Sequence, residues 1–243
     1  MGSIGSNLQE VKRRMAEACA EAARVANILT HSADFGAPPG VALLAVSKTF
    51  GAEAVREAYA AGQRAFGENY VQEALAKIAA LADLRPGIEW HLIGPLQSNK
   101  TKAVAEAFDW VHSVDRLKIA HRLAEQRPAW LPPLQLCLQV NVSSEASKSG
   151  VPAQEVAALA LAVAALPRER VVLRGLMAIP EPADGFEVQR GPHRALRELL
   201  TAVNGRGLAL DTLSMGMSAD LEAAIAEGAT IVRVGTAVFG DRG

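Results

Sequence analysis

After one leading helix, the sequence alternates strand-like and helix-like segments eight times, and this alternation limits the possible folds more than any other feature. Short apolar runs predict strands at residues 43–48, 64–67, 90–94, 110–113, 134–142, 171–178, 211–215 and 231–234. Helical patterns follow at 52–61, 68–81, 98–107, 115–126, 153–166, 191–204 and 219–227, with a short final turn at 236–239. Strict alternation predicts a parallel sheet. Eight such units in 243 residues match the size of a (β/α)₈ barrel.

We therefore expect an α/β fold with a single TIM-type barrel and an extra N-terminal helix. The domain would span residues 1–243, with the leading helix and a loop at 1–40 and the barrel at 41–243. In the leading segment, Leu8, Val11 and Met15 recur at helical spacing and predict an amphipathic helix ahead of the first strand. The alternative is an open, doubly wound sheet, but the glycine-rich dinucleotide turn of that fold is absent after the first strand.

Composition excludes several classes of function. A formal net charge of −1 gives no electrostatic case for binding nucleic acid or an anionic membrane. The longest apolar helical stretch, at 156–166, is too short to span a bilayer. The cysteines, Cys19 and Cys137, lack the spacing of a metal or redox motif, as do the five histidines, which indicates a reducing cytoplasm and no metal.

The first predicted strand ends in a lysine that is a candidate for chemistry. An unbroken apolar run over residues 41–46 precedes Ser47 and Lys48, so this strand reads as buried on both faces. The amine would then lie at the rim of the interior, where partial loss of water favours the neutral form that attacks a carbonyl carbon. Lys48 is therefore a candidate Schiff-base lysine. The alternative is a lysine whose stem lies along the strand end while its charge stays in water.

The loops after the last two strands predict a phosphate site. In such barrels, active sites gather at the carboxyl ends of the strands, and the loops after strands seven and eight often bind phosphate. Ser214 and Gly216 follow strand seven, and Gly235 and Thr236 follow strand eight. Each pair offers a hydroxyl and an unhindered backbone N–H, although these glycines could equally serve only as strand caps. A Schiff-base lysine and a phosphate cup are together the two anchors of pyridoxal 5′-phosphate (PLP).

Other polar residues give weaker indications. His91 and His112 lie within predicted strands and are expected to be core residues. Glu68 and Asp220 are isolated acids whose positions suit helix first turns or loop ends. Lys148, in the loop after strand five, is a second amine near the mouth and a candidate secondary PLP site.

Several long motifs give the chain a close resemblance to the pyridoxal-phosphate homeostasis proteins, the YggS/PROSC family. They are AVSKT, FGENYVQEA, WHLIGPLQSNK, SKSG, RGLMAIP, LSMGMSADLEAAI and VRVGTAVFG, in this order between residues 41 and 240. The sequence departs from the family at Ala219, where an acid is common, and in the proline-rich loop before the first strand. Neither departure touches a proposed anchor.

The resemblance implies the fold of the N-terminal barrel of alanine racemase and a covalently bound PLP. It makes Lys48 the Schiff-base residue and places Ser214, Gly235 and Thr236 at the phosphate. Arg233 would face the pyridine nitrogen, and Asn69 and Met177 would line the cofactor.

The resemblance also implies a carrier of PLP that serves vitamin B6 and amino-acid homeostasis, without established catalysis. One alternative is a PLP-dependent amino-acid racemase or decarboxylase. Another is a barrel enzyme that acts on sugar phosphates through Lys48. The chain stops soon after the eighth strand, so we expect no second domain to supply the catalytic tyrosine that alanine racemase uses. We expect a cytoplasmic monomer whose partners are PLP and, as candidate recipients, PLP-requiring apo-enzymes.

Overall fold

Parallel strands form a closed barrel in a computed structural model that describes residues 2–29, 40–142 and 149–240. In chain order the strands are β1 (Ala42–Val46), β2 (Ala65–Glu68), β3 (Glu89–Leu92), β4 (Trp110–Val114), β5 (Leu134–Asn141), β6 (Val151–Pro152), β7 (Val171–Met177), β8 (Thr212–Ser214) and β9 (Ile231–Val234). Strands β1 to β4 pair in sequence, β1 pairs with β9, and the pairing of β4 with β5 closes the ring. All eight predicted barrel strands are confirmed. The two-residue β6, which pairs with the end of β5, was not predicted.

Helices surround this ring. They are α1 (Ile4–Leu29), α2 (Ala52–Ala60), α3 (Val71–Ala80), α4 (Thr101–Ala107), α5 (Leu117–Gln126), α6 (Val156–Ala164), α7 (Phe186–Asn204), α8 (Leu221–Ala226) and α9 (Thr236–Phe239). As predicted, α1 lies ahead of the first strand and buries Leu8, Val11 and Met15 in the core. None of the helices in the described ranges has both the length and the apolar character that crossing a membrane requires.

Two predicted boundaries were wrong for identifiable reasons. Helix α7 begins at Phe186 rather than at residue 191, because Gly185, with φ of 90°, turns the chain before it. Pro192 therefore lies inside the helix instead of near its start. The helix predicted to begin at residue 98 begins at Thr101, because Ser98 opens a short 3₁₀ turn before it, and the Ser98 carbonyl oxygen accepts a hydrogen bond from the Thr101 hydroxyl.

The predicted end of the second helix at residue 61 is confirmed to within one residue, and Gly62 turns the chain after it. Gly62 has φ of 93°, a conformation that a residue with a Cβ rarely adopts. Its N–H donates to the carbonyl of Tyr59, and the N–H of Gln63 donates to the carbonyl of Ala58. These two bonds form a Schellman motif, which satisfies carbonyls at the helix end and turns the chain into β2.

The apolar residues divide into two layers, as expected for strands buried on both faces. The larger layer lies between strands and helices, and the smaller one fills the barrel interior with Leu44, Val46, Ile93, Trp110, Cys137, Met177 and Ile231. Since side chains alternate along a strand, every second residue of each strand faces inward. This inner face carries the candidate site.

Candidate functional site

Lys48 lies where β1 reaches the mouth of the barrel. Leu44 and Val46 belong to the inner cluster, so the alternation of side chains places residue 48 next on the same side. Ser47, between them, is fully buried and faces the surrounding helices. The Lys48 side chain is half-buried. Lys48 thus lies in the turn that follows β1 at the mouth of the barrel, partly shielded from water.

The backbone directly after Lys48 is held in an unusual conformation. Thr49 has φ of 69°, the only positive φ at a non-glycine residue among those described. Its N–H donates to Glu73 Oε1 on α3 at 2.6 Å. A β-branched residue in this region is strained, and such strain persists only where the surroundings enforce it. The contact with α3 therefore fixes the direction in which the chain, and Lys48 with it, leaves β1.

A buried ionic network of Lys77, Glu68 and Ser47 stabilises the chain next to this turn. Lys77 Nζ lies 2.6 Å from Glu68 Oε1 and donates to the carbonyl of Ser47 at 2.8 Å, while the Ser47 hydroxyl donates to the same Glu68 oxygen at 2.6 Å. Burial raises the pKa of Glu68, and the Lys77 ammonium opposes that rise. Glu68 is thus not an isolated acid at a helix start. It is the buried last residue of β2 and joins α3 to the strand that carries Lys48.

Arg233 is a buried cation on the inner face of β9. Its Nη1 donates to Ser214 Oγ and its Nη2 to the carbonyl of Ala178, each at 2.8 Å. No carboxylate lies within ion-pair distance of it in the described parts of the chain. Burial lowers the pKa of Arg233 to about 10, so the group remains charged at neutral pH. A buried charge without an ionic partner is costly, so this guanidinium is a candidate site for a further acceptor besides Ser214 and Ala178.

The remaining predicted residues surround the same mouth. Gly235 follows β9 directly and precedes α9, whose first turn begins at Thr236. The first N–H groups of a helix have no partner within it. Met177 is fully buried in the inner cluster at the end of β7. Asn69, which follows β2, has a buried Oδ1 atom with no hydrogen-bond partner among the described atoms.

Ser214 and Lys148 differ from the other predicted site residues. The Ser214 hydroxyl is buried and already contacts Arg233 and His112, at 2.8 Å in each case, so its geometry links it to the guanidinium rather than to the loops. Lys148 lies outside the described residues. Sequence reasoning missed the contacts of His91 and His112, whose rings meet inside the barrel at 2.9 Å between Nδ1 and Nε2. Counting inward positions across neighbouring strands could have found this pair.

An amine, an unpaired buried guanidinium and a free helix start at one mouth define a barrel of the alanine racemase type. The family model described as "Alanine racemase, N-terminal domain" matches residues 22–243. The pyridoxal phosphate homeostasis protein of Pseudomonas aeruginosa is 60% identical over 242 residues, which cover 100% of this chain and 97% of that protein. The chain therefore belongs to the pyridoxal phosphate homeostasis protein family.

Solved structures agree with this assignment. PipY of Synechococcus elongatus, in a structure with PLP bound, is 42% identical, with a TM-score of 0.76 over 90% of this chain and 99% of that one. Alanine racemase of Corynebacterium glutamicum has a TM-score of 0.63 at 20% identity, covering 93% of this chain and 62% of that enzyme. At 20% identity, the similarity to alanine racemase shows a shared fold and nothing about activity.

Proposed function

We propose that this protein binds PLP covalently through Lys48 and carries or buffers it for vitamin B6 and amino-acid homeostasis. The observation that supports this most is the pairing of a half-buried amine with a buried, ionically unpaired guanidinium at one barrel mouth. The PLP bound to PipY, a relative of 42% identity, supports the same cofactor.

The residues present fit the groups of PLP. Lys48 offers an amine to the aldehyde. Arg233 offers guanidinium N–H groups to an acceptor on the ring, and Asn69 brings a buried oxygen without a partner. Gly235 and Thr236 bring backbone N–H groups and a hydroxyl to the phosphate, and Met177 provides an apolar wall. We assign the Ser214 hydroxyl to Arg233 instead of to the phosphate, because its buried contacts already engage it.

The nature of Arg233 favours carriage over catalysis. PLP enzymes that use the ring as an electron sink commonly place a carboxylate at the pyridine nitrogen, which keeps that nitrogen protonated. Arginine can only donate hydrogen bonds, so Arg233 leaves the nitrogen unprotonated and weakens the sink. When bound, the cofactor supplies an aldehyde that can pass from one amine to another, which is the chemistry a carrier needs.

Among the residues that the structure describes, neither tyrosine is placed as a second acid–base group for racemisation. The sequence has two tyrosines. Tyr59 lies on α2, where its ring stacks with the Arg64 guanidinium, and Tyr70 follows Asn69 with 57% of its surface exposed. An exposed tyrosine at a loop end is poorly placed to hold a proton opposite Lys48, so two-base racemisation lacks a positioned partner.

The phosphate assignment predicts a selective loss of affinity. Thr236→Ala should weaken PLP binding about tenfold, because a charge-assisted hydrogen bond contributes roughly 1.5–3 kcal/mol. Affinity for pyridoxal, which lacks the phosphate, should stay nearly the same. Titrating both ligands into the variant and the unchanged protein measures this, and equal losses for the two ligands would remove Thr236 from the phosphate site.

Two measurements test carriage against catalysis. Protein loaded with PLP should activate a PLP-requiring apo-enzyme, and the cofactor should be lost from the carrier in equal amount. Homogeneous protein incubated with a panel of amino acids should give at most slow exchange of the α-proton. Sustained racemisation or decarboxylation that disappears in Lys48→Ala would replace the carrier by an enzyme.

The cellular compartment and the oligomeric state of the protein are also part of this proposal. In the described residues, Cys19 and Cys137 are free thiols, and burial raises the pKa of both, to about 12 for Cys137. Such thiols are inert in a reducing compartment. We therefore propose that the protein works in the cytoplasm as a monomer.

A further inference from the structure

Four polar side chains cross the barrel interior in a continuous line that ends at Arg233. Arg233 Nη1 lies 2.8 Å from Ser214 Oγ, which lies 2.8 Å from His112 Nδ1. His112 Nε2 lies 2.9 Å from His91 Nδ1, and His91 Nε2 lies 3.4 Å from Glu89 Oε2. Ser214, His112 and His91 are each at most 2% exposed, whereas half of the Glu89 side chain is exposed at the opposite end of the barrel.

The chemistry of the two ends fixes the direction of every bond in this line. Arginine donates and never accepts, and a carboxylate only accepts. If Arg233 donates to Ser214, the serine hydroxyl is free to donate to His112 Nδ1. His112 then carries its proton on Nε2 and donates to His91 Nδ1, which leaves the His91 proton on Nε2, facing Glu89.

The reverse direction of these hydrogen bonds is electrostatically less favourable. It would give His91 Nε2 a lone pair that faces the Glu89 carboxylate at 3.4 Å, whereas the forward direction places an N–H there. The Ser214 hydroxyl would also lose its acceptor on His112. Burial, His91 and Arg233 together hold the pKa of His112 well below its usual range, so His112 is neutral and carries one ring proton, as the line requires.

The far end of the line is held in place by its surroundings. Trp110 stacks on the His91 ring at 5.4 Å between centroids, with 8° between the planes, and donates from Nε1 to Glu89 Oε1 at 2.6 Å. The Arg174 guanidinium lies over the Trp110 ring, 5.2 Å from its centroid, and pairs with Asp211 at 2.7 Å. Glu89 and His91 line a cavity of about 350 Å³ at this end, which gives the carboxylate contact with water.

We propose that His91, His112 and Ser214 form a one-way hydrogen-bond chain that orients the Arg233 guanidinium toward the cofactor ring, with its direction set by the Glu89 carboxylate 3.4 Å from His91 Nε2. The role of Arg233 at the ring rests on the proposed PLP function, but the chain itself is a property of the protein without cofactor. Its members are positioning residues, since they act on the cofactor only through Arg233. Chains in which each bond polarises the next are stronger than the separate bonds.

The direction of the chain can be tested on the protein before PLP is added. With ¹⁵N-labelled histidine, the ring-nitrogen shifts should show His91 and His112 as neutral rings protonated on Nε2. His121, which lies exposed on α5, serves as an internal reference for a ring in water. A proton on Nδ1 of His112, or a charged His112 at neutral pH, would overturn the proposal whether or not the protein binds PLP.

The link to Arg233 can be tested with two buried serines. Ser214→Ala removes a member of the chain, whereas Ser113→Ala removes a buried hydroxyl on β4 that has no hydrogen-bond partner in the described structure. Ser214→Ala should free the Arg233 guanidinium to rotate, seen as merging of its Nη–H resonances, and should weaken PLP binding about fivefold, the equivalent of roughly one hydrogen bond. Ser113→Ala should change neither. Equal effects from both variants would mean that Ser214 is only a packing residue.

A remote substitution tests whether the chain is continuous. Glu89→Gln keeps an oxygen near His91 but removes the charge that fixes its tautomer. It should therefore shift the ring-nitrogen resonances of His112 and the guanidinium resonances of Arg233. Asp211→Asn removes a charge beside the same cavity without touching the chain, and should leave both sets unchanged. If Glu89→Gln moves only His91, the chain ends there and the proposal fails.

Discussion

Lys48→Ala should abolish the visible absorption band of bound PLP and the adduct that borohydride traps on the protein. The physical reason is that, in the proposed function, the amine of Lys48 forms the covalent link, and alanine has no group to replace it. Absorbance of the PLP-loaded protein, followed by peptide mapping after reduction, measures both effects. Residual binding through the phosphate loop would appear as PLP that dialysis removes.

A second lysine at the same level gives the matched control. Lys100 ends the short 3₁₀ turn that follows β3 and is half-buried, as Lys48 is. Lys100→Ala should retain both the band and the trapped adduct. If the labelled peptide of the unchanged protein contains Lys148 instead of Lys48, the assignment of the covalent residue is wrong.

Lys77→Met should lower the free energy of unfolding by about 3–5 kcal/mol, because it leaves the Glu68 carboxylate buried without its cation. Both side chains are almost fully buried, and Lys77 also holds the carbonyl of Ser47, next to Lys48. Chemical denaturation of the variant and the parent protein measures the loss. The double variant Lys77→Met with Glu68→Gln should recover a large part of it, since no charge is then left unpaired.

The Lys77–Glu68 pair also predicts how the loss in free energy of unfolding depends on pH. The pKa of Glu68 is already raised by burial, and removing Lys77 raises it further. A carboxyl whose pKa is higher in the folded than in the unfolded protein binds its proton more tightly when folded, so stability falls as pH rises above the unfolded value of about 4.3. The cost of Lys77→Met should therefore be smaller at pH 5 than at pH 8. As a surface control, Arg56→Ala breaks an exposed pair with Asp83 and should change stability little at either pH. A cost that does not vary with pH would mean that Glu68 is not the source.

The sequence was sufficient for the fold because its strands are unambiguous. Runs such as the one over β1 are apolar on both faces, which happens only where helices cover one side and a barrel interior the other. The end of α2 was equally clear, since a glycine directly after a helix indicates a residue in the left-handed conformation. The start of α7 was not, because the turn at Gly185 depends on how the loop after β7 leaves the barrel, and no local pattern encodes that path.

The site was harder to predict because its members are distant in sequence. Lys48 and the glycine and threonine after β9 follow from position at strand ends alone. His91 and His112 each look like core residues when their own strand is considered. Their contact, and the contact of His112 with Ser214, depend on the register between strands, which pairs His91 with Trp110 and Met177 with Ser214. Lys77 was overlooked for a related reason: two of its partners, Ser47 after β1 and Glu68 at the end of β2, are distant from it in sequence.

The pairing of the first strand with the last has a consequence for biosynthesis. Lys48 follows β1, while Arg233, Gly235 and Thr236 lie on or after β9, and the two strands are neighbours only because the ring closes, with Leu44 opposite Arg233. A nascent chain therefore presents the amine proposed to bind PLP long before the ribosome has made the groups proposed to hold its ring and phosphate. Stable capture of the cofactor has to await the final strand, and ligand added during refolding then stabilises only complete molecules. Retention of PLP is thus a readout of whether translation and closure have both finished.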